Sequence, residues 1–182
     1  MKKSAARAQK RLEKTGESID PKTEHTPIVD KAQLERIKTY IAAGVAEGAN
    51  LVAGGKQVPR DGFFIEPTIF ADVQDDMKIA KEEIFGPVMS ILKYSDLKDA
   101  LKRANNTTYG LGAAVFTKDV GKAILISKAL EAGTIWVNGY GSIPPQAPFG
   151  GYKQSGIGRE GGSYVLNEYL QVKQVTFENL HL

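Results

Sequence analysis

The chain contains no cysteine. That absence excludes disulfide bridges, thiolate metal sites and any mechanism in which a cysteine of this chain is the nucleophile. Histidine is almost as scarce. His25 and His181 stand far apart without metal-ligand spacing, so no metal site is expected and both read as exposed polar residues. No apolar run approaches the roughly 18 residues needed to span a bilayer, and no membrane partner is expected. A surplus of one charge is missing too. Lys and Arg number 24 against 21 Asp and Glu, and the resulting +3 is too small to imply a nucleic-acid partner. Neither glycine-rich stretch runs into Gly-Lys-Ser or Gly-Lys-Thr, so a phosphate-cradling P-loop is absent.

What remains suits a folded domain: 182 residues, 42% hydrophobic and 25% charged, ordinary for a protein with a core. The basic residues cluster only at the start, where Lys2, Lys3, Arg7, Lys10, Arg11 and Lys14 face Glu13 alone. That composition fits a solvated basic helix or a mitochondrial transit peptide, so the expected location is cytoplasmic with mitochondrial as the alternative. The segment lacks the apolar stretch of a secretory signal, which leaves the sequons at Asn105 and Asn106 without weight.

Asp30 stands where an N-cap belongs, ahead of Leu34, Ile37, Tyr40 and Ile41 at helical spacing, and this helix should end near Gly48. Residues 51–53 read as a short strand and residues 63–70 as extended chain interrupted by Pro67. The unalternating apolar run 87–92 has the pattern of a strand buried on both faces. Asp96 then caps a helix, 111–116 reads as strand, 119–132 as helix and 134–137 as strand. This alternation predicts an α/β fold with a parallel sheet. Gly133 sits where a helix C-cap glycine is expected. Residues 139–162 form a Gly/Pro-rich loop, 163–168 a short helix, and 172–177 a last strand. In that strand Val172, Gln174 and Thr176 share one face, with Lys173, Val175 and Phe177 on the other.

Gly156-Ile157-Gly158-Arg159-Glu160-Gly161 spells G-x-G-x-x-G, with Glu178 at about the distance of a ribose-binding acid. No strand directly precedes it and only a short helix follows, so it reads as a structural loop. Ser142 and Ser155 lie outside any Gly-x-Ser-x-Gly elbow, which makes hydrolysis a weak alternative. The acidic pairs Asp75-Asp76 and Glu82-Glu83 read as capping and solvated residues.

Four blocks together carry a family resemblance: Lys81-Glu82-Glu83-Ile84-Phe85-Gly86-Pro87-Val88, Asn105-Asn106-Thr107-Thr108-Tyr109-Gly110-Leu111, Gly133-Thr134-Ile135-Trp136-Val137-Asn138 and Pro148-Phe149-Gly150-Gly151-Tyr152-Lys153. In this order they resemble the C-terminal part of an NAD(P)-dependent aldehyde dehydrogenase, and the resemblance covers almost the whole chain. It implies a three-layer, parallel-sheet catalytic domain that is incomplete, with the nucleotide-binding domain absent. Residues 1–169 would be the partial catalytic domain and 170–182 the terminal oligomerisation strand and tail. The resemblance also implies that Glu83 holds the nicotinamide ribose and Phe85 packs beside the nicotinamide. Ile143 and Phe149 would line the aldehyde tunnel. Residues 139–145 depart from the family's usual Cys, Asp and aromatics, so substrate preference does not carry over.

In that family a thiolate attacks the aldehyde, a hydride passes to the dinucleotide, and an activated water hydrolyses the thioester. The Cys, the general-base Glu and the oxyanion Asn would all lie upstream of Met1. The expectation is therefore a chain with no catalytic residue of its own, inactive alone and holding neither NAD nor NADP tightly. The alternative is an interaction module, pairing through 172–177 with a full-length relative or with another copy of itself.

Overall fold

The computed structural model describes residues 2–179, which fall into two compact units, one up to Ser95 and one from Asp96 on. The first unit opens with α1 (Lys2–Leu12), whose Ala8 is buried, and α2 (Lys31–Ala46). Asp30 caps α2 as expected, its carboxylate accepting the Gln33 amide at 2.7 Å. Leu34, Ile37, Tyr40, Ile41 and Gly44 make the buried stripe. Gly44 sits there because a side chain would strike Ile79 Cδ1 at 2.9 Å and the Phe70 ring at 3.1 Å.

Against that stripe lies a sheet ordered β1-β2-β3: β1 (Asn50–Ala53), β2 (Thr68–Ala71) and β3 (Val88–Ser90). β1 runs antiparallel to β2, and β3 parallel to it. Every residue of β2 is buried, and Phe70 and Ile37 are among the core's most enclosed side chains. Fully burying such a side chain contributes about 1.5–3 kcal/mol. Strand structure begins only after Pro67, because the ring removes a ladder donor and confines the run before it to an isolated Gln57–Ile65 bridge. A single turn, α3 (Lys78–Lys81), joins β2 to β3.

His25 corrects an expectation. It is 7% exposed, and its Nε2–H donates to the Ile65 carbonyl at 2.6 Å, which allows a polar ring to sit inside. His181 lies outside the described residues.

In the second unit α4 (Leu97–Asn105) and α5 (Val120–Ala129) are capped by Asp96 and Asp119, at 2.8 Å to the Asp99 amide and 3.0 Å to the Lys122 amide. β4 (Gly112–Val115) pairs in parallel with β5 (Thr134–Val137), and α5 is their crossover. The α/β class with parallel pairing is as expected, yet β3 ladders with β2 rather than with β4. A buried apolar run shows that a strand exists; its partner is chosen by packing.

Gly133 is not a helix cap. α5 ends at Ala129, and Gly133 has no positive φ. A Cβ there would fall inside the Gly150 carbonyl, so the glycine serves backbone contact between β5 and the loop that follows. That loop carries a 3₁₀ turn (Lys153–Ser155) and leads to α6 (Leu166–Tyr169). Residues 172–177 form no strand among the described residues. Val172, Val175 and Phe177 stand exposed, since a strand needs a ladder partner and this run has none here.

Candidate functional site

After α3 the chain turns sharply through Glu82, Glu83, Ile84, Phe85 and Gly86, and α2 holds it from behind. Residues Gln33, Arg36, Ile37 and Tyr40 recur at i, i+3, i+4 and i+7 and so share one face of α2. The Gln33 side-chain amide donates to the Phe85 carbonyl at 2.9 Å and to the Ile84 carbonyl at 3.3 Å. Arg36 donates to the Glu83 carbonyl at 3.3 Å. The Tyr40 hydroxyl donates to Glu82 Oε2 at 2.8 Å. Gly86 passes so close to Ile37 that a Cβ would meet Cδ1 at 2.5 Å.

This clamp enforces a strained backbone. Phe85 has φ +57, a left-handed conformation that costs a non-glycine residue about 1–3 kcal/mol. Ile84 is drawn inward and is 8% exposed, whereas Phe85 is 72% exposed. The Glu83 carboxylate is also on the surface and forms no hydrogen bond or ion pair among the described residues. A carboxylate and an aromatic ring two residues apart are thus both exposed, with the carbonyls of their residues tied to α2 behind them. The Tyr40 hydroxyl is pushed above its ordinary value, first by its hydrogen bond to Glu82 and then by burial, with Arg36 opposing.

Within the second unit, the loop after β5 holds the other two predicted residues. Trp136 donates its indole N–H to the Ser142 carbonyl at 2.8 Å and meets the Tyr140 ring at a tilt of 57°, centroids 4.9 Å apart, fixing the chain before Ile143. Ile143 is 50% exposed. Phe149 is partly buried and exchanges two backbone hydrogen bonds with Glu160, each 2.7 Å. Arg159 reinforces the loop, donating to the Gly151 carbonyl at 2.9 Å and the Gly158 carbonyl at 2.8 Å. The G-x-G-x-x-G stretch is accordingly a structural loop, with a left-handed Gly161 and no crossover helix after it. Ser155 accepts the Gly110 amide at 2.9 Å, which gives its hydroxyl a structural task.

An open cleft of about 800 Å³ also lies at the carboxyl ends of β4 and β5, lined by Phe116, Val120, Val137 and Asn138 among others. None of the predicted site residues lines it. Asn138 in its lining both donates to and accepts from the Thr117 backbone, at 2.9 and 2.8 Å. Among the described residues no cluster of three metal-ligating side chains occurs, and no helix is long and apolar enough to cross a membrane.

The model of the aldehyde dehydrogenase family matches residues 1–175. The chain belongs to that family. It is 52% identical over 176 residues to retinal dehydrogenase 2 of Rattus norvegicus, covering 97% of this chain and 34% of that protein. Against the mitochondrial aldehyde dehydrogenase of Homo sapiens the identity is 54%, with the same coverage of 97% and 34%. Among solved structures, an NAD+ complex of aldehyde dehydrogenase from Bacillus cereus superposes with a TM-score of 0.88 at 46% identity, over 92% of this chain and 34% of that one. Betaine aldehyde dehydrogenase of Staphylococcus aureus with NAD+ gives 0.90 at 38% identity, over 100% and 38%. The chain thus spans about a third of the length of the aldehyde dehydrogenases it matches.

Sequence reasoning missed Gln33, Arg36 and Tyr40. Their shared face of α2 is visible in the spacing, but nothing local says that the face meets a segment some fifty positions later.

Proposed function

We propose that this chain provides the ribose grip and one wall of the aldehyde tunnel of an NAD(P)-dependent aldehyde dehydrogenase. The observation that carries the reading is the exposed, unpaired Glu83 carboxylate two residues from the exposed Phe85 ring, on a strained segment clamped from behind. Such a carboxylate can accept both hydroxyls of a ribose diol, each charge-assisted bond contributing about 1.5–3 kcal/mol. The ring offers a flat apolar face to a flat heterocycle. The residues therefore fit NAD or NADP, which when bound would supply the hydride acceptor. Ile143 and Phe149 would form an apolar wall that favours an apolar aldehyde and helps exclude water.

The family superposition supports a three-layer catalytic domain of which this chain is one part. With no cysteine among its 182 residues, the chain offers no thiol nucleophile, and turnover by the chain alone is not expected. Purified chain with NAD+ and an aldehyde should yield no NADH. NAD+ at millimolar concentration should shift only amides around Glu83 and Phe85, and Glu83→Ala should remove those shifts. Turnover that Glu83→Ala abolishes would overturn the inactivity; shifts that survive Glu83→Ala would overturn the site.

A second reading rests on residues 172–177, which present Val172, Val175 and Phe177 to solvent without a ladder partner among the described residues. This run can add to the edge of a sheet in a full-length relative or another copy. Co-purification with an intact family member, lost in Val175→Pro, tests that pairing.

A further inference from the structure

A cleft of about 250 Å³ in the first unit lies between α1 and the starts of β2 and β3. Its wall on α1 consists of Ser4, Arg7, Ala8 and Arg11, residues at i, i+3, i+4 and i+7 that share one face of the helix. Its opposite side is mostly apolar, with Pro67, Ile69, Pro87, Val88 and Met89; Thr68 is there too, its hydroxyl already bonded to the Gly55 amide and the Glu66 carbonyl. No acidic residue lines it. Neither Arg7 nor Arg11 forms a hydrogen bond or ion pair among the described residues. The carboxylate that senses Arg11 through space, Glu24, is already bonded to Lys14. Two exposed, uncompensated guanidinium groups one turn apart therefore rim a mostly apolar floor, and a concave site of one sign concentrates ligands of the other.

We propose that this cleft binds a small organic oxyanion with an apolar body, of the size and type of benzoate. The head group accepts N–H bonds from Arg7 and Arg11, and the body covers Ile69, Val88 and Met89. Guanidinium forks match a planar carboxylate in geometry as well as charge. A basic helix that is merely solvated would bind any anion weakly and without regard to its apolar part.

The test is a titration of the isotope-labelled full chain with benzoate, inorganic phosphate and benzyl alcohol, followed by amide shifts. Benzoate should produce saturable shifts at Thr68, Ile69, Val88 and Met89. Phosphate should bind about tenfold more weakly, for want of the apolar contact, and benzyl alcohol should give no saturation. Arg7→Gln and Arg11→Gln should each weaken benzoate about tenfold, the loss of one charge-assisted bond. The proposal is overturned if benzoate fails to saturate, if phosphate or benzyl alcohol matches it, or if the shifts follow Lys2, Lys3 and Lys10 instead. It is equally overturned if both Arg variants, folded by circular dichroism, bind benzoate as the parent does. Should either variant fail to fold, the comparison of benzoate with benzyl alcohol on the parent chain decides alone.

Discussion

At the scale of single residues, the site is made by what its side chains are spared from doing. Glu83 and Phe85 stay exposed because their carbonyls, not their side chains, are tied to Arg36 and Gln33. Tyr40 is the titratable member of this clamp. Removing its proton would set a phenolate against the Glu82 carboxylate, so the hydroxyl titrates above its ordinary value of 10.0. The sign follows: the folded state holds this proton more firmly, so the contribution is full below the ordinary phenol range and is lost as pH rises through the higher folded value. Phenolate absorbance should show one tyrosine titrating late in the parent chain and earlier in Glu82→Gln. Identical titration curves would remove Tyr40 from the clamp. The roles proposed for Glu83 and Phe85 rest on the neighbouring residues of their block. Taken alone, Glu83 is one more surface charge.

At the scale of elements, the caps were the most readable feature, since Asp30, Asp96 and Asp119 each reach their N3 amide. Their signal is local: one short acceptor just before a periodic run. Signals that depend on distant chain were misread. Gly133 looked like a cap because a helix lay before it and a strand after, but its role is set by Gly150, which periodicity does not reveal. The run 172–177 has clear alternation and yet no ladder, for its pairing depends on a partner outside itself. Gly133→Ala should cost more than about 2 kcal/mol in thermal unfolding, because backbone must move to admit the methyl group. Gly139→Ala, with nothing nearer than 4.0 Å to the added carbon, should stay within about 0.5 kcal/mol. Equal effects would mean that the Gly133 contact is not structural.

At the scale of the molecule, the two units are built unequally. The buried core cluster lies entirely in the first, while Val115 is the one buried hydrophobic of the second among the described residues. In the second unit Phe116, Val120, Ile124 and Leu125 remain exposed. Hydrogen exchange should therefore be slowest in α2 and β2 and at least about tenfold faster in α5, reflecting its lower opening free energy. Slower exchange in α5 than in α2 would refute that ordering. The central claim is that Glu83 grips a cofactor ribose, and steady-state kinetics of a graft tests it most directly. This chain replaces the matching third of an intact aldehyde dehydrogenase, with Glu83 retained or changed to Gln. The account predicts that kcat/KM for the dinucleotide falls about ten- to a hundredfold in Glu83→Gln. A folded, active graft whose dinucleotide kinetics are the same with either residue would contradict it.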